Sequence, residues 1–446
     1  MWFRDARKII NIFVMVVNDT LGCDLYQTCQ RTAAALQKST SSISRSQAPI
    51  PWHAVIAGLC ANLVAIGLAR FAYTPLLPAL IHAHWFSAAD AVTLGAANLA
   101  GYFAGALAGR GLAKRWSSRT TLQWMMAATS LAFVACAFPL SVSWYFAWRL
   151  ISGITGGVIM VLVASTVLPH VPAHRRAMAS GMIFLGLGLG IAGSGTLVPV
   201  LISHGLRVTW IGLGVLSAVL TAISWFGWPE HTVASAAKPA TLATGGRVRE
   251  RHMALHLLYG QFASTALVLV PVMVFLADFI ARGLGRGASV GAFYWIVYGL
   301  GALAGPASYS WLADKFSARW TLFGVIAVQA AATSLLGVFE APWILIPVTF
   351  LLGTFPPGIV PLVIARISDL LPGDPAAQGL AWSRATTMFA LVQAAAGYAL
   401  SWMFNASGGN HRLLFAVSIA TGICILVSEA ACAARTSSRS GVPDVN

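Results

Sequence analysis

Charge is scarce along this chain. Asp, Glu, Lys and Arg supply 9% of its 446 residues and 58% are hydrophobic, whereas a soluble domain carries about 25% charged and roughly 45–50% apolar residues. That balance excludes a soluble globular protein. Acid is scarcer than base: 13 Asp and Glu stand against 28 Lys and Arg, a formal net charge of +15. Such an excess invites a nucleic-acid reading, but the basic residues fall in short clusters between apolar runs and form no continuous surface, so no nucleic-acid partner is expected. Cys23, Cys29, Cys60, Cys136, Cys424 and Cys432 have no paired spacing. Neither a disulfide framework nor a metal site is implied, and no cofactor.

Long apolar runs are what the chain has. A hydrocarbon core of roughly 30 Å takes about 20 helical residues to cross, and twelve runs qualify: 53–80, 91–110, 121–140, 144–168, 178–203, 208–228, 253–280, 289–311, 320–339, 342–366, 377–404 and 411–433. They lack the alternation of barrel strands. The expected fold is an all-α membrane protein with twelve transmembrane helices in two six-helix bundles, 52–228 and 253–433. A polar linker, 229–252, joins them, and 434–446 forms a cytoplasmic tail. Residues 1–51 read as a poorly ordered cytoplasmic extension: IINIFVMVV is too short to span, and TLGC departs from a lipoprotein box at Thr20. Arg110, Lys114, Arg115 and Arg119 share one loop, Arg175 and Arg176 another, Lys238, Arg247, Arg249 and Arg251 a third, and Lys315 and Arg319 a fourth. These alternate with loops almost free of base. The positive-inside bias makes the basic set cytoplasmic, with both termini inside the cell's inner membrane.

Sliding the chain against itself by 200 positions sets GYFAGALAGRGLAKRWSSRTTL, Gly101 to Leu122, on GALAGPASYSWLADKFSARWTL, Gly301 to Leu322, without a gap. Two parallel halves related by an axis along the membrane normal are implied. LADKFSARWTL, Leu312 to Leu322, resembles the loop signature of the major facilitator superfamily, and RLISGITGG, Arg149 to Gly157, its fourth-helix pattern. GLARFAYTPLLPAL, with AWSRATTMFALVQAAAGY, is similar to the YbfB/YjiJ branch of that superfamily. The resemblance implies a transporter, not an enzyme, and a cytoplasmic gate made by Asp314, Lys315 and Arg319. Arg115 and Arg119 are the first-half counterparts, where Lys114 replaces the acid.

Within the first run, Arg70 is the one charged side chain after Trp52. A charge at the bilayer centre costs at least roughly 2.5–3.5 kcal/mol, so it should face a cavity or a partner. At about 1.5 Å per residue, Arg70 lies near 24 Å from the inner edge and Arg149 about 9 Å below the outer one, at similar heights. Asn62, Arg70 and Tyr73 fall within an arc of about 80° at 100° per residue. Arg384 is a third buried base, in the eleventh run. No acid occurs in the middle of the first six runs. An organic anion would supply the missing charge, docked on the planar Arg fork. The expected substrate set is therefore Arg70, Tyr73, Asn62, Arg149, Arg384 and Gln261. Competing readings stay open at this stage: Arg70 and Arg149 as snorkelling or carbonyl-bound anchors, Arg384 paired with Asp369, and Tyr294, Trp295 and Tyr298 as packing or as a substrate cage.

GLGLGIAGSG, Gly186 to Gly195, matches a dinucleotide fingerprint but has no preceding strand or following acid. Gly186, Gly190 and Gly193 instead mark a packing surface between helices. Pro356 and Pro357 in FPPG interrupt the tenth run as hinge or static kink. The sequence thus points to a secondary transporter, expected to be a monomer, that moves a small organic solute, an anion by preference, by alternating access. Coupling stays open between protons, another ion and none: Asp278 is the nearest candidate carrier but is placed better for a gate, and the substrate's own carboxylate is an alternative carrier. A membrane-embedded enzyme acting on a lipid-linked substrate, and an exporter of non-anionic drugs, are the rivals.

Overall fold

The computed structural model describes residues 50–230 and 245–440. The expected extension lies almost wholly outside them, as do the middle of the expected linker and the last six residues. Among the described residues, Pro51–His170 and those from Arg176 onward form one compact unit, of which Val171–Arg175 is not a part.

Twelve long helices make up the described chain. They are α1 Trp52–His82, α2 Ala88–Trp116, α3 Ser118–Cys136, α4 Val142–Val167, α5 Arg176–Ile202, α6 Leu206–Ser224, α7 Gly245–Asp278, α8 Ala288–Phe316, α9 Ala318–Val338, α10 Pro342–Leu370, α11 Pro375–Ala406 and α12 His411–Ser440. Ten are long and apolar enough to cross a membrane; the other two are α2 and α3. Those two owe their lower apolarity to Gly and Ala in place of larger aliphatics, and to Arg110, Lys114, Arg115, Arg119 and Gln123 around the turn that joins them. The expected boundaries shift where polar residues sit on helix ends: α7 begins at Gly245, inside the expected linker, and α12 runs to Ser440, inside the expected tail.

The repeat seen in the sequence is built in the same way twice. In the first half, a Cβ on Gly101 or Gly105 would run into the carbonyl oxygens of Leu150 and Ile154, and one on Gly153 into that of Asn98. In the second half, Gly301 meets Phe350, Gly305 meets Thr354 and Gly353 meets Tyr298 in the same fashion. Each residue in the second set stands 200 positions after its counterpart. Small residues thus let α2 lie against α4, and α8 against α10, at backbone distance. The turns that follow also match: Ser117 and Ser317 have φ of 76° and 72°, and each accepts the backbone N–H of the residue four on.

Helix α5 packs on two sides through glycine. A Cβ on Gly186 would strike Leu59 of α1, and one on Gly190 would strike Gly67; on the other face Gly188 abuts Ala302 and Gly195 abuts Ile296, both of α8. Gly193 has nothing within 4 Å and takes no part in either contact. Helix α10, expected to break at FPPG, is instead helical throughout, with Pro347, Pro356, Pro357 and Pro361 inside it. Gly358 there lies against the Tyr309 ring, whose hydroxyl is 2.8 Å from Thr354 Oγ1.

Candidate functional site

Helix α1 is irregular where it carries charge. It passes through a π-helical stretch, Leu63–Leu68, and steps again at Ala72 between Ala69–Phe71 and Tyr73–His82. π turns leave backbone groups open to other partners and concentrate at functional sites. Here Arg149 of α4 fills the opening, donating from Nη1 to the Ala69 carbonyl at 2.7 Å while its guanidinium lies 4.2 Å over the Tyr73 ring. Arg149 is 3% exposed, so it does not snorkel to the surface. Tyr73 in turn donates to the Ala91 carbonyl of α2 at 2.7 Å. Asn98 of α2 donates to Ser152 Oγ at 2.9 Å, tying α2 to the same stretch of α4.

Arg70 sits beside this knot and points elsewhere. Its guanidinium carbon lies 5.1 Å from the centre of the Tyr102 ring and 6.0 Å from that of Phe71. The charge also reaches Tyr298, on α8 in the second half. Phe71 meets Trp295 at 6.4 Å, and Trp295 stacks on Tyr298 at 5.2 Å with an 18° tilt. The residue as a whole is half-buried, yet Nε and Nη2 are both buried with no hydrogen-bond acceptor, as is the Tyr298 hydroxyl. A buried donor left unmade costs about 1–3 kcal/mol. With Arg149 Nε, likewise buried and without an acceptor, four such donors lie on α1, α4 and α8, and no acid pairs with Arg70 or Arg149 among the described residues.

The structure therefore brings Arg70, Tyr73 and Arg149 together and leaves the other expected members apart. Asn62 is fully buried and faces α5, donating to Ile183 O at 3.1 Å. Gln261 is buried on α7. Arg384 is exposed on α11, close to Tyr259, while the guanidinium that acts on Asp369 is that of Arg366. Tyr102 was missed in the sequence, and Tyr298 and Trp295 were left between cage and packing. Nothing in the residue pattern shows which side of a doubly packed helix faces the other half.

The end of the bundle that carries the basic turns is shut across the halves. Trp382 of α11, 3% exposed, donates from Nε1 to the Met160 carbonyl of α4 at 3.0 Å. Phe184 of α5 and Phe262 of α7 flank its ring at 6.4 and 6.0 Å, and Phe262 stacks on Phe389 at 4.7 Å. Thr387 donates to the Ala106 carbonyl of α2 at 3.3 Å. The loop residues expected to form the gate do less. Arg119 pairs with Glu230 at 2.6 Å, Lys315 lies over the rings of Trp311 and Phe316, and Arg319 is half-buried. Asp314 and Arg115 are exposed, and Asp314 makes no ion pair among the described residues.

At the opposite end charges are paired. Asp278 receives Nε and Nη2 of Arg282 and lies 2.7 Å from His411 Nε2. Arg412 pairs with Glu340, whose backbone carbonyl accepts from Arg286.

Two six-helix halves joined internally by repeated glycine contacts, the first of them holding a buried polar knot, are the architecture of the major facilitator class. Solved structures agree on the fold. The chain matches the proton:xylose symporter XylE bound to 6-bromo-6-deoxy-D-glucose with a TM-score of 0.65 and 14% identity, covering 84% of this chain and 94% of that one. A partially occluded inward-open XylE from E. coli gives 0.64 at 14%, covering 85% and 97%. Residues 62–429 match the family described as the uncharacterised MFS-type transporter YbfB, and the chain belongs to that family. Among curated relatives, the niacin transporter NiaP of Acinetobacter baylyi is 23% identical over 378 residues, 73% of this chain and 82% of that protein. A chloramphenicol resistance protein of Streptomyces lividans is 21% identical over 386 residues, 85% and 95%. The protein is a multi-pass membrane transporter; its family and fold are not those of enzymes.

Proposed function

We propose that the protein is a secondary transporter that carries a small organic anion across the inner membrane by alternating access. It works as a monomer, with its basic turns and both termini in the cytoplasm. One observation carries the reading: Arg70 presents Nε and Nη2, buried and without an acceptor, at the boundary between the halves. A carboxylate supplies two acceptors and the missing charge together. Niacin, named for one relative, is a molecule of this kind. Arg149, held by Ala69 and Tyr73, fixes the stretch of α1 that bears Arg70. The seal at Trp382 closes the cytoplasmic side in this conformation.

Proton coupling is the separable part of the reading, with Asp278 and His411 at the outer end as the exchanging pair. Counterflow in proteoliposomes tests the core. Radiolabelled nicotinate should accumulate against unlabelled nicotinate in the parent and not in Arg70→Gln. Accumulation by Arg70→Gln at the parent rate would remove the anion reading. Acidifying the outside without an internal load tests the coupling separately. The relative named for chloramphenicol resistance favours a second reading, efflux of a neutral drug; Arg70→Gln would leave such efflux intact.

A further inference from the structure

We infer that the first half binds a single halide ion, chloride by abundance, inside its own core on Arg149, at a site separate from the one around Arg70 and independent of what the protein carries. The space for it lies between α1, α3, α4 and α6. A cavity of ≈ 10 Å³ is lined there by Ala69, Thr129, Cys136, Arg149, Ser152 and Trp210, among others, each of these at most 5% exposed. That volume holds one water-sized occupant. A carboxylate, with its three heavy atoms, does not fit.

Two of the lining residues carry a buried donor with no acceptor, Arg149 Nε and Trp210 Nε1. Other contacts hold both groups in place and leave those atoms over. Arg149 is fixed by Nη1 on the Ala69 carbonyl at 2.7 Å and by the Tyr73 ring at 4.2 Å. Trp210 is fixed by the Phe133 ring at 6.1 Å and by that of Tyr145, edge-on at 84° and 5.7 Å. A buried N–H without an acceptor is costly. One acceptor in the cavity answers both.

Charge decides what that acceptor is. Water can accept from the two nitrogens but leaves the guanidinium uncompensated, and no acid lines the cavity or pairs with Arg149 among the described residues. Buried charges are paired. A halide has no hydrogen of its own to place, accepts from several donors at once, and cancels the charge of Arg149. The hydroxyls of Thr129 and Ser152 complete the lining, and their hydrogens rotate to suit the occupant. With the halide in place, Arg70 keeps its charge at the boundary between the halves while Arg149 is neutralised within one of them.

The test is a thermal-shift titration of the purified full-length protein, washed into sodium gluconate, with chloride, bromide and sulfate at constant ionic strength. Equilibrium binding of radiolabelled chloride is run beside it. Chloride and bromide should raise the midpoint along a saturating curve and sulfate should not, with one chloride bound per molecule. These readouts need only the parent chain. Trp210→Phe keeps a ring and removes one donor; it should weaken chloride by on the order of tenfold. Arg70→Gln should bind chloride within a few-fold of the parent. Chloride acting no differently from gluconate, or no radiolabel bound, means a water in the cavity and overturns the inference. Undiminished binding in Trp210→Phe overturns it too, as does loss of binding in Arg70→Gln, which moves the halide to the other guanidinium. Nicotinate counterflow is decided by a different measurement, so the anion-carrier reading stands or falls apart from this site.

Discussion

The two halves of the protein share a skeleton and differ in charge. Gly101, Gly105 and Gly153 hold α2 against α4 by the contacts that Gly301, Gly305 and Gly353 repeat between α8 and α10. At the positions where the first half carries Arg70 and Arg149, the second half, 200 residues on, carries Val270 and Thr349, both buried. In the second half Asp278, Arg282, His411, Glu340 and Arg412 pair at the end opposite the basic turns. Duplicated backbone contacts are what the architecture requires. An uncompensated cation has no such architectural role, since burying it without a partner raises the energy of the fold.

The comparison can be broken at its strongest point first. Gly105→Leu and Gly305→Leu should each abolish folded protein, judged by detergent-solubilised size exclusion, because each side chain would strike backbone that cannot yield. A tolerated substitution in one half alone would show that the skeletons are not equivalent. Next, Arg70→Gln should lower nicotinate counterflow by on the order of a hundredfold. Val270→Ala, at the matching site, should leave counterflow within about threefold and lower stability by roughly 1–2 kcal/mol. Trp382→Phe keeps a ring at the seal and removes the bond to Met160; spin labels on either side of the seal, on α4 and α11, should report a larger share of molecules open at the basic end. Smallest is the charge cluster opposite the basic turns: Arg412→Ala, whose ion pair is exposed on both sides, should change the thermal midpoint by less than about 1 kcal/mol in equivalent stability, and less again in high salt.

Much of the fold was legible from periodicity alone, because spans must be long and apolar and because the repeat survives as a register of glycines and a basic turn. The pairing of Arg70 with Arg149 in height was legible too, since rise per residue is fixed. Asn62 shows where the reading stopped. The helical wheel placed it on the face of Arg70, but the π stretch Leu63–Leu68 lies between them. At roughly 80° per residue instead of 100°, six residues accumulate a lag on the order of 100°, and Asn62 turns to α5. Arg384 failed differently. Buried residues lie on several sides of α11, and which of them meets the other half is decided by Trp382 and Thr387 finding carbonyls on α4 and α2, a choice made by tertiary packing.

Helix α5 has a mechanical consequence. Stripped of side chains toward α1 and again toward α8, it touches both halves through smooth backbone, and smooth surfaces roll where interlocked ones ratchet. In the alternating-access cycle proposed above it is the bearing between the two halves, with friction set by methyl groups that are not there. Adding one, as in Gly188→Ala, is a brake applied far from the cargo.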